Sequence, residues 1–161
     1  MKKILISGCL LGFPVRYDNK IQPVENKYIE KWRDEGRLVV VCPEVAGGLP
    51  TPRPPAEIVA ASGEDVLTGD AAIRNAAGTD VTQAFIKGAH TALELVQRFN
   101  IRVAILKEKS PSCGSGLIYD GTFSRRLIPG RGVTVALLEQ NGVSVFSEND
   151  IGDVCEFLAM L

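Results

Sequence analysis

Histidine is nearly absent from this sequence: His90 is the only one in 161 residues. A multi-histidine zinc or non-haem iron site therefore cannot be assembled within the chain. No Cys-x-x-Cys pair is present either, which disfavours zinc ribbons, thioredoxin-type redox motifs and ferredoxin-type cluster runs. No apolar run approaches the roughly 20 residues of a membrane span, and Ile4-Leu5-Ile6 behind Met1-Lys2-Lys3 is too short for a secretory h-region. Neither sign of charge dominates, with 18 basic against 19 acidic residues, so bulk nucleic-acid binding through the phosphate backbone has no support. The expectation is a cytoplasmic chain whose recognition is local.

What is present is the composition of a globular unit, 45% hydrophobic and 23% charged. A chain of this length buries roughly 70% of its unfolded surface, so one domain over residues 1–161 needs no disulfide to hold it. Without a secretory leader the four cysteines read as reduced thiols, free for metal binding or catalysis.

Ile4–Ser7 and Leu38–Val41 read as strands, ended by Gly8 and by Cys42-Pro43. Their continuous rather than alternating apolarity is what coverage on both faces requires. Residues 101–106 and 143–146 supply two more strands. Tyr28, Ile29 and Trp32 lie at helical spacing ahead of Gly36, a plausible C′ residue. The longest helix is expected to start near Thr79 or Asp80, with Val81, Ala84, Phe85, Ala89, Ala92, Leu93 and Val96 on one face and Asp80 and Gln83 as a capping pair. Helices over 132–140 and 149–161 follow, the last capped by Ser147.

Strands alternating with helices imply right-handed βαβ units. The fold expectation is α/β, a Rossmann-like three-layer domain with a mostly parallel sheet of about four to five strands. Two segments, 43–78 and 107–132, resist that scheme; the second carries a glycine-rich turn and an apparent small hairpin over 117–124 turning on Asp120-Gly121. Long connections inside a compact domain are usually functional.

Cys9 follows the first strand, Cys42 ends the second and Cys113 sits in the loop after the third. The carboxyl ends of parallel strands open onto one edge, where α/β folds bind ligands, so three thiols far apart in sequence can converge there. Three thiolates with no histidine suit an iron–sulfur cluster. A [4Fe–4S] cube with three protein ligands would leave one iron open as a Lewis acid with affinity for sulfur. The competing reading of any cysteine is a small buried apolar residue. That reading fits Cys155, which shares a helical face with Ile151, Val154 and Leu158, better than the other three, each of which adjoins Gly or Pro.

Longer motifs sharpen this picture. Ser7-Gly8-Cys9-Leu10-Leu11-Gly12, Val15-Arg16-Tyr17-Asp18, Cys42-Pro43-Glu44-Val45, Gly47-Gly48-Leu49-Pro50-Thr51-Pro52-Arg53, Asp80-Val81-Thr82, Lys107-Glu108-Lys109-Ser110-Pro111-Ser112-Cys113-Gly114-Ser115 and Tyr119-Asp120-Gly121-Thr122-Phe123 resemble the bacterial family long called domain of unknown function 523. The resemblance covers nearly the whole chain. That family includes thiouracil desulfidases, in which a [4Fe–4S] cluster held by three cysteines removes sulfur from a thiolated pyrimidine. It implies Cys9, Cys42 and Cys113 as cluster ligands and Glu44 and Ser110 as the catalytic pair.

The residue chemistry agrees. Replacing C=S by C=O requires a group to capture sulfur, one to activate water and one to handle protons. Glu44, two residues after a ligand, could serve as general base and then acid; the small residues around Cys113 would let backbone N–H groups close on an anion or on cluster sulfides. Arg16, Tyr17, Asp18, Lys107 and Ser112 are the candidate substrate contacts, with Tyr17 offering a stacking face; ordinary loop and solvated-lysine roles compete for them. Arg53 reads as part of a lid or subunit contact rather than of a PxxP ligand. Arg125, Arg126 and Arg131 are surface arginines by default, or an anion site if the substrate is a nucleotide. His90 reads as structural.

The function expected is therefore an iron–sulfur-dependent desulfidase converting thiouracil or its nucleotide to the oxo form with release of hydrogen sulfide. A non-catalytic iron–sulfur or metal-binding protein for sensing or storage is the alternative; it would need the cysteines but not Glu44 or Ser110. No membrane partner is expected, and a homo-oligomer is left open.

Overall fold

The computed structural model describes residues 1–21 and 23–161. Two four-residue apolar runs make its centre: β1 (Ile4–Ser7) and, later, β5 (Val103–Leu106) are buried along their whole length. Between them in the chain come α1 (Lys27–Asp34), β2 (Leu38–Val41), α2 (Pro43–Ala46), β3 (Ala56–Ile58), α3 (Gly63–Thr68), β4 (Ile73–Asn75) and the long α4 (Thr82–Phe99). After β5 follow β6 (Leu117–Tyr119), β7 (Leu127–Pro129), α5 (Val133–Gln140), β8 (Ser144–Ser147) and α6 (Ile151–Met160).

The main sheet has the order β2-β1-β5-β8 and every pairing in it is parallel, with Leu5 opposite Val39 and Ala104, and Ile105 opposite Phe146. The chain leaves β1 to one side for β2 and returns to its other side for β5. The strand direction of travel reverses there, which opens a crevice at the carboxyl ends of β1 and β5. Side-chain alternation sorts the core into layers. Leu5, Ala104 and Leu106 pack on Ala92 and Val96 of α4 and on Val135 and Leu138 of α5, whereas Ile4, Ile6, Val103 and Ile105 pack on Ile29 and Trp32 of α1 and on Ile151 and Val154 of α6. The expected α/β three-layer architecture and four-strand parallel sheet are observed.

Differences from the sequence expectation have local causes. β2 is an edge strand rather than one covered on both faces, and Val40 is 41% exposed. Segment 43–78 contains α2, α3 and the antiparallel pair β3-β4, none of which was expected. These short elements bury Ile58, Val66 and Ile73 against Phe85, Ala89 and Leu137, so α5 is covered on all sides and residues 133–138 are all buried. The hairpin does not turn on Asp120-Gly121: β6 pairs with β7 across the longer loop 120–126.

Only half of the expected capping pair of α4 forms: the helix starts at Thr82, whose amide (2.9 Å) and hydroxyl (2.6 Å) both donate to Asp80 Oδ1, while Gln83 makes no return bond among the described residues. Ser147 sits in the turn before α6, where its Oγ accepts from the Asn149 amide (3.1 Å), while Asp150 occupies the N-cap. Gly36, at φ +67°, ends α1 as expected. Among the described residues no helix is long and apolar enough to cross a membrane.

Candidate active site

The three non-helical cysteines are delivered by strand ends. Cys9 lies in the single 3-10 turn Gly8–Leu11 that continues β1, Cys42 is the N-cap of α2 directly after β2, and Cys113 lies in the loop after β5. All three line one cavity of about 630 Å³, and Glu44, Ser110, Arg16, Tyr17 and Lys107 line it with them. The convergence read from the sequence is therefore observed.

Glycines make the Cys42 wall rigid. A Cβ on Gly88 of α4 would lie 1.9 Å from the Pro43 carbonyl oxygen, and one on Gly47 would lie 1.9 Å from the Ala84 carbonyl oxygen. The backbones of α2 and α4 thus touch directly, which only hydrogen side chains permit, and the Cys42-Pro43-Glu44 corner is set against the long helix.

Burial dominates the thiols' electrostatics. It pushes Cys9 up to about 11, with the Cys42 charge adding to the rise and Lys107 and Arg16 opposing it. Cys113, buried at the cavity wall, is pushed far up by that burial, and Glu44, Cys42 and Cys9 each raise it further. Cys42 is raised by burial while the amides of Val45 and Glu44, at the head of α2, pull the other way. The three sulfurs therefore feel one another's charge, and only a strongly positive group would let all three ionise together.

Among the described residues no three Cys, His, Asp or Glu side chains close around a single point as one metal ion requires. The thiols instead face an open volume from three separate segments. Such a donor set, three soft sulfurs and no nitrogen, fits a cluster in which each thiolate meets its own iron.

Glu44 is held by Arg53. Both the Nε (3.0 Å) and the Nη2 of Arg53 donate to Glu44 Oε2. The Arg53 side chain is 5% exposed; its Nη2 also donates to the Val15 carbonyl (3.0 Å), and its Nη1 to the Pro50 carbonyl and to Thr51 Oγ1 (3.0 Å each). The Cys42 thiol donates to the same Val15 carbonyl (3.7 Å). The Arg53 side chain is thus part of the cavity wall, and the Pro-rich segment brings it there.

Ser110 Oγ accepts from the amides of Ser112 (3.0 Å) and Cys113 (3.1 Å), which fixes the hydroxyl oxygen and leaves its O–H to donate. Lys107 is ion-paired with Glu148, whose Oε1 also accepts from the Glu108 amide (2.8 Å). Two expected substrate contacts are placed elsewhere. Ser112 is wholly buried with its hydroxyl 2.7 Å from that of Thr134, and it is not part of the cavity wall. Asp18 is also off the wall; it pairs with Arg16 (3.5 Å) and accepts from the Lys20 amide (3.0 Å).

The glycine-rich loop does have inward amides, but an internal anion takes them. Glu108 Oε1 accepts from the amides of Ser115 (2.8 Å), Gly116 (3.1 Å) and Leu117 (3.3 Å), and Oε2 accepts from the Ser115 hydroxyl (3.0 Å). Burial alone would raise this carboxyl, but the amides outweigh it and hold it below its ordinary value. Those amides are therefore not available to cluster sulfides.

The three arginines do not form one anion site. Arg131 pairs with Glu64 (3.3 Å) and Glu139 (3.0 Å), Arg126 approaches Asp120 (3.9 Å), and Arg125 alone reaches the cavity. His90 is exposed on α4, outside the cavity wall. Glu57, Glu108 and Glu148 were not singled out from the sequence. Each is an ordinary glutamate in a loop or short strand, with no spacing signal that marks it.

Comparison with known proteins matches residues 4–150 to the family described as 2-thiouracil desulfurase. An uncharacterized protein of Bacillus subtilis (strain 168), YbbK, is 50% identical over 151 residues, covering 94% of this chain and 99% of the relative. The solved structure of the [4Fe-4S]-dependent thiouracil desulfidase TudS is 45% identical and superposes with a TM-score of 0.91 over 100% of both chains.

Proposed function

The chain belongs to the 2-thiouracil desulfurase family, and on that premise we propose how its own residues carry out the reaction. It is a [4Fe–4S]-dependent desulfidase that converts a thiolated pyrimidine, thiouracil or its nucleotide, to the oxo form. Overall C=S and water become C=O and hydrogen sulfide, with no change of oxidation state.

Cys9, Cys42 and Cys113 would hold the cluster, which would supply an iron without a protein ligand, a Lewis acid with affinity for a thiocarbonyl sulfur. Glu44 takes a proton from water as the oxygen attacks the ring carbon. The hydroxyl of Ser110, its oxygen pinned by two amides, passes a proton toward the departing sulfur. We assign Lys107, held by Glu148, to the substrate's exocyclic oxygen, and Tyr17 and Arg16 of the same cavity wall to the ring.

The observation that most supports these roles is that Glu44 and Ser110 share one cavity wall with all three thiols. The test uses anaerobically loaded protein and 2- or 4-thiouracil. Wild type should form uracil and sulfide in equal amounts. Glu44→Gln and Ser110→Ala should keep their iron and still bind thiouracil but turn over at least ~100-fold more slowly. Wild-type rates in both variants would remove the two residues from the reaction.

A further inference from the structure

Besides Glu44 and the amide-bound Glu108, the cavity wall carries a third carboxylate that the reaction does not use. Glu57, in the middle of β3, is 8% exposed and lines the cavity wall. Its Oε1 accepts from the amides of Gly121 (2.9 Å) and Phe123 (3.2 Å) in loop 120–126. None of the ion pairs among the described residues involves it. Oε2 has no hydrogen-bond partner among the described residues. Since every fully buried side-chain nitrogen and oxygen among the described residues does have one, Oε2 keeps some accessible surface, and the residue lines the cavity.

A carboxylate kept out of bulk water without a cation is costly, and a donor brought in by a ligand offsets that cost. The loop above it is built for closeness. A Cβ on Gly121 would lie 2.7 Å from the Ile58 carbonyl oxygen, so the loop presses on the end of β3. Phe123 (φ +58°) and Arg125 (φ +63°) are held in the left-handed region that residues other than glycine rarely adopt, and both line the cavity.

We propose that Glu57 is the residue that recognises the pyrimidine ring: its Oε2 accepts the ring N–H beside the thiocarbonyl, while its Oε1 holds the loop that places Phe123 against the base. The proposal rests on the desulfidase reading and adds the orienting contact that reading lacks. A thiolactam ring offers an N–H donor, whereas Arg16, Lys107 and Arg125 on the same wall only donate, so an acceptor is what the ring edge needs. Holding that proton on nitrogen also keeps the substrate as the thione, whose carbon is open to attack, rather than as the thiol. The N–H survives in the product, so the contact serves uracil equally and does not depend on iron.

The test pairs kinetics with binding. Wild type, Glu57→Gln and Glu57→Ala are compared on 2-thiouracil and on its 1-methyl and 3-methyl derivatives, and uracil is titrated calorimetrically into iron-free protein. Glu57→Gln retains an oxygen for the loop amides but presents an N–H where the ring needs an acceptor. It should raise KM for 2-thiouracil by about tenfold or more, the scale of a lost charge-assisted hydrogen bond. Wild type should reject one N-methyl derivative by a similar factor, and that preference should vanish in both variants. Uracil binding to the iron-free protein should weaken in parallel. A loop-supporting role alone would slow all substrates equally and leave the methyl preference intact; that result, or an unchanged uracil affinity in Glu57→Gln, overturns the proposal. If wild type released no sulfide from any thiouracil, the desulfidase reading would fail, and the uracil titration would still decide the role of Glu57.

Discussion

Arg53 grips Glu44 by one oxygen only: the Nε and Nη2 contacts both fall on Oε2. Oε1 is left as the oxygen that can take a proton from water, and the planar fork decides which way it points. Lysine would keep the charge and lose the fork. Arg53→Lys is therefore expected to retain iron and to leave KM nearly unchanged while lowering kcat at least ~10-fold. Arg53→Ala, which strands a largely buried carboxylate, should in addition lower the unfolding free energy in urea by about 3 kcal/mol. A wild-type kcat in Arg53→Lys would show that the fork does not orient Glu44.

The four cysteines separate into three and one. Cys9→Ala, Cys42→Ala and Cys113→Ala should each lose bound iron, and with it the broad absorption near ~400 nm of thiolate-bound iron–sulfur. Cys155 packs on the α6 side of the core among partly buried neighbours, so Cys155→Ala should keep iron and activity at a cost of roughly 1 kcal/mol. Full iron content in any of the first three would break the ligand assignment.

Gly88 is far from any chemistry in sequence, yet its missing side chain is what lets Pro43 lie on α4. With a Cβ only 1.9 Å from the Pro43 carbonyl oxygen, Gly88→Ala must push α2 outward, carrying Cys42 and Glu44 with it. The expected result is a loss of roughly 1–3 kcal/mol of stability, as in other overpacked interiors, together with reduced iron occupancy. Chemical denaturation and iron analysis on the same preparation measure both.

Glu108 makes the loop that carries Cys113 sensitive to acid. Its carboxyl is held below the ordinary 4.5 by the loop amides. The stabilisation from a depressed carboxyl is complete above the unfolded-state value and is lost as pH falls through the native one. In iron-free protein, the protection of the amides at residues 115–117 against hydrogen exchange, taken relative to the intrinsic rate at each pH, should therefore fall as the pH drops below about 4.5. Glu108→Gln should show the faster exchange already at neutral pH, with little further acid dependence.

Periodicity and spacing reveal those features that one segment encodes by itself. β1, β2 and β5 are unbroken apolar runs, α1 ends at a glycine where the backbone turns left-handed, and cysteines placed just past strand ends converge because parallel strands share one carboxyl edge. Arg53 and Glu57 were not legible as site residues, because what places them is a partner nine or more than sixty positions away in the chain. β3 and β4 are three residues each, too short to show a period of two. The loop after β5 misled for a different reason. Its glycines do turn amides inward, but the anion that fills them is the chain's own Glu108.

The sheet has two faces with separate interiors, and the cysteines belong to both. Cys9 packs with the α1 and α6 side and Cys113 with the α4 and α5 side. A group gripping the two sulfurs is therefore a clasp across the sheet's rim, tying together layers that otherwise meet only through the strands. Emptying the site removes that tie at the catalytic rim alone and leaves the parallel ladder of β1 and β5 to hold the two layers together.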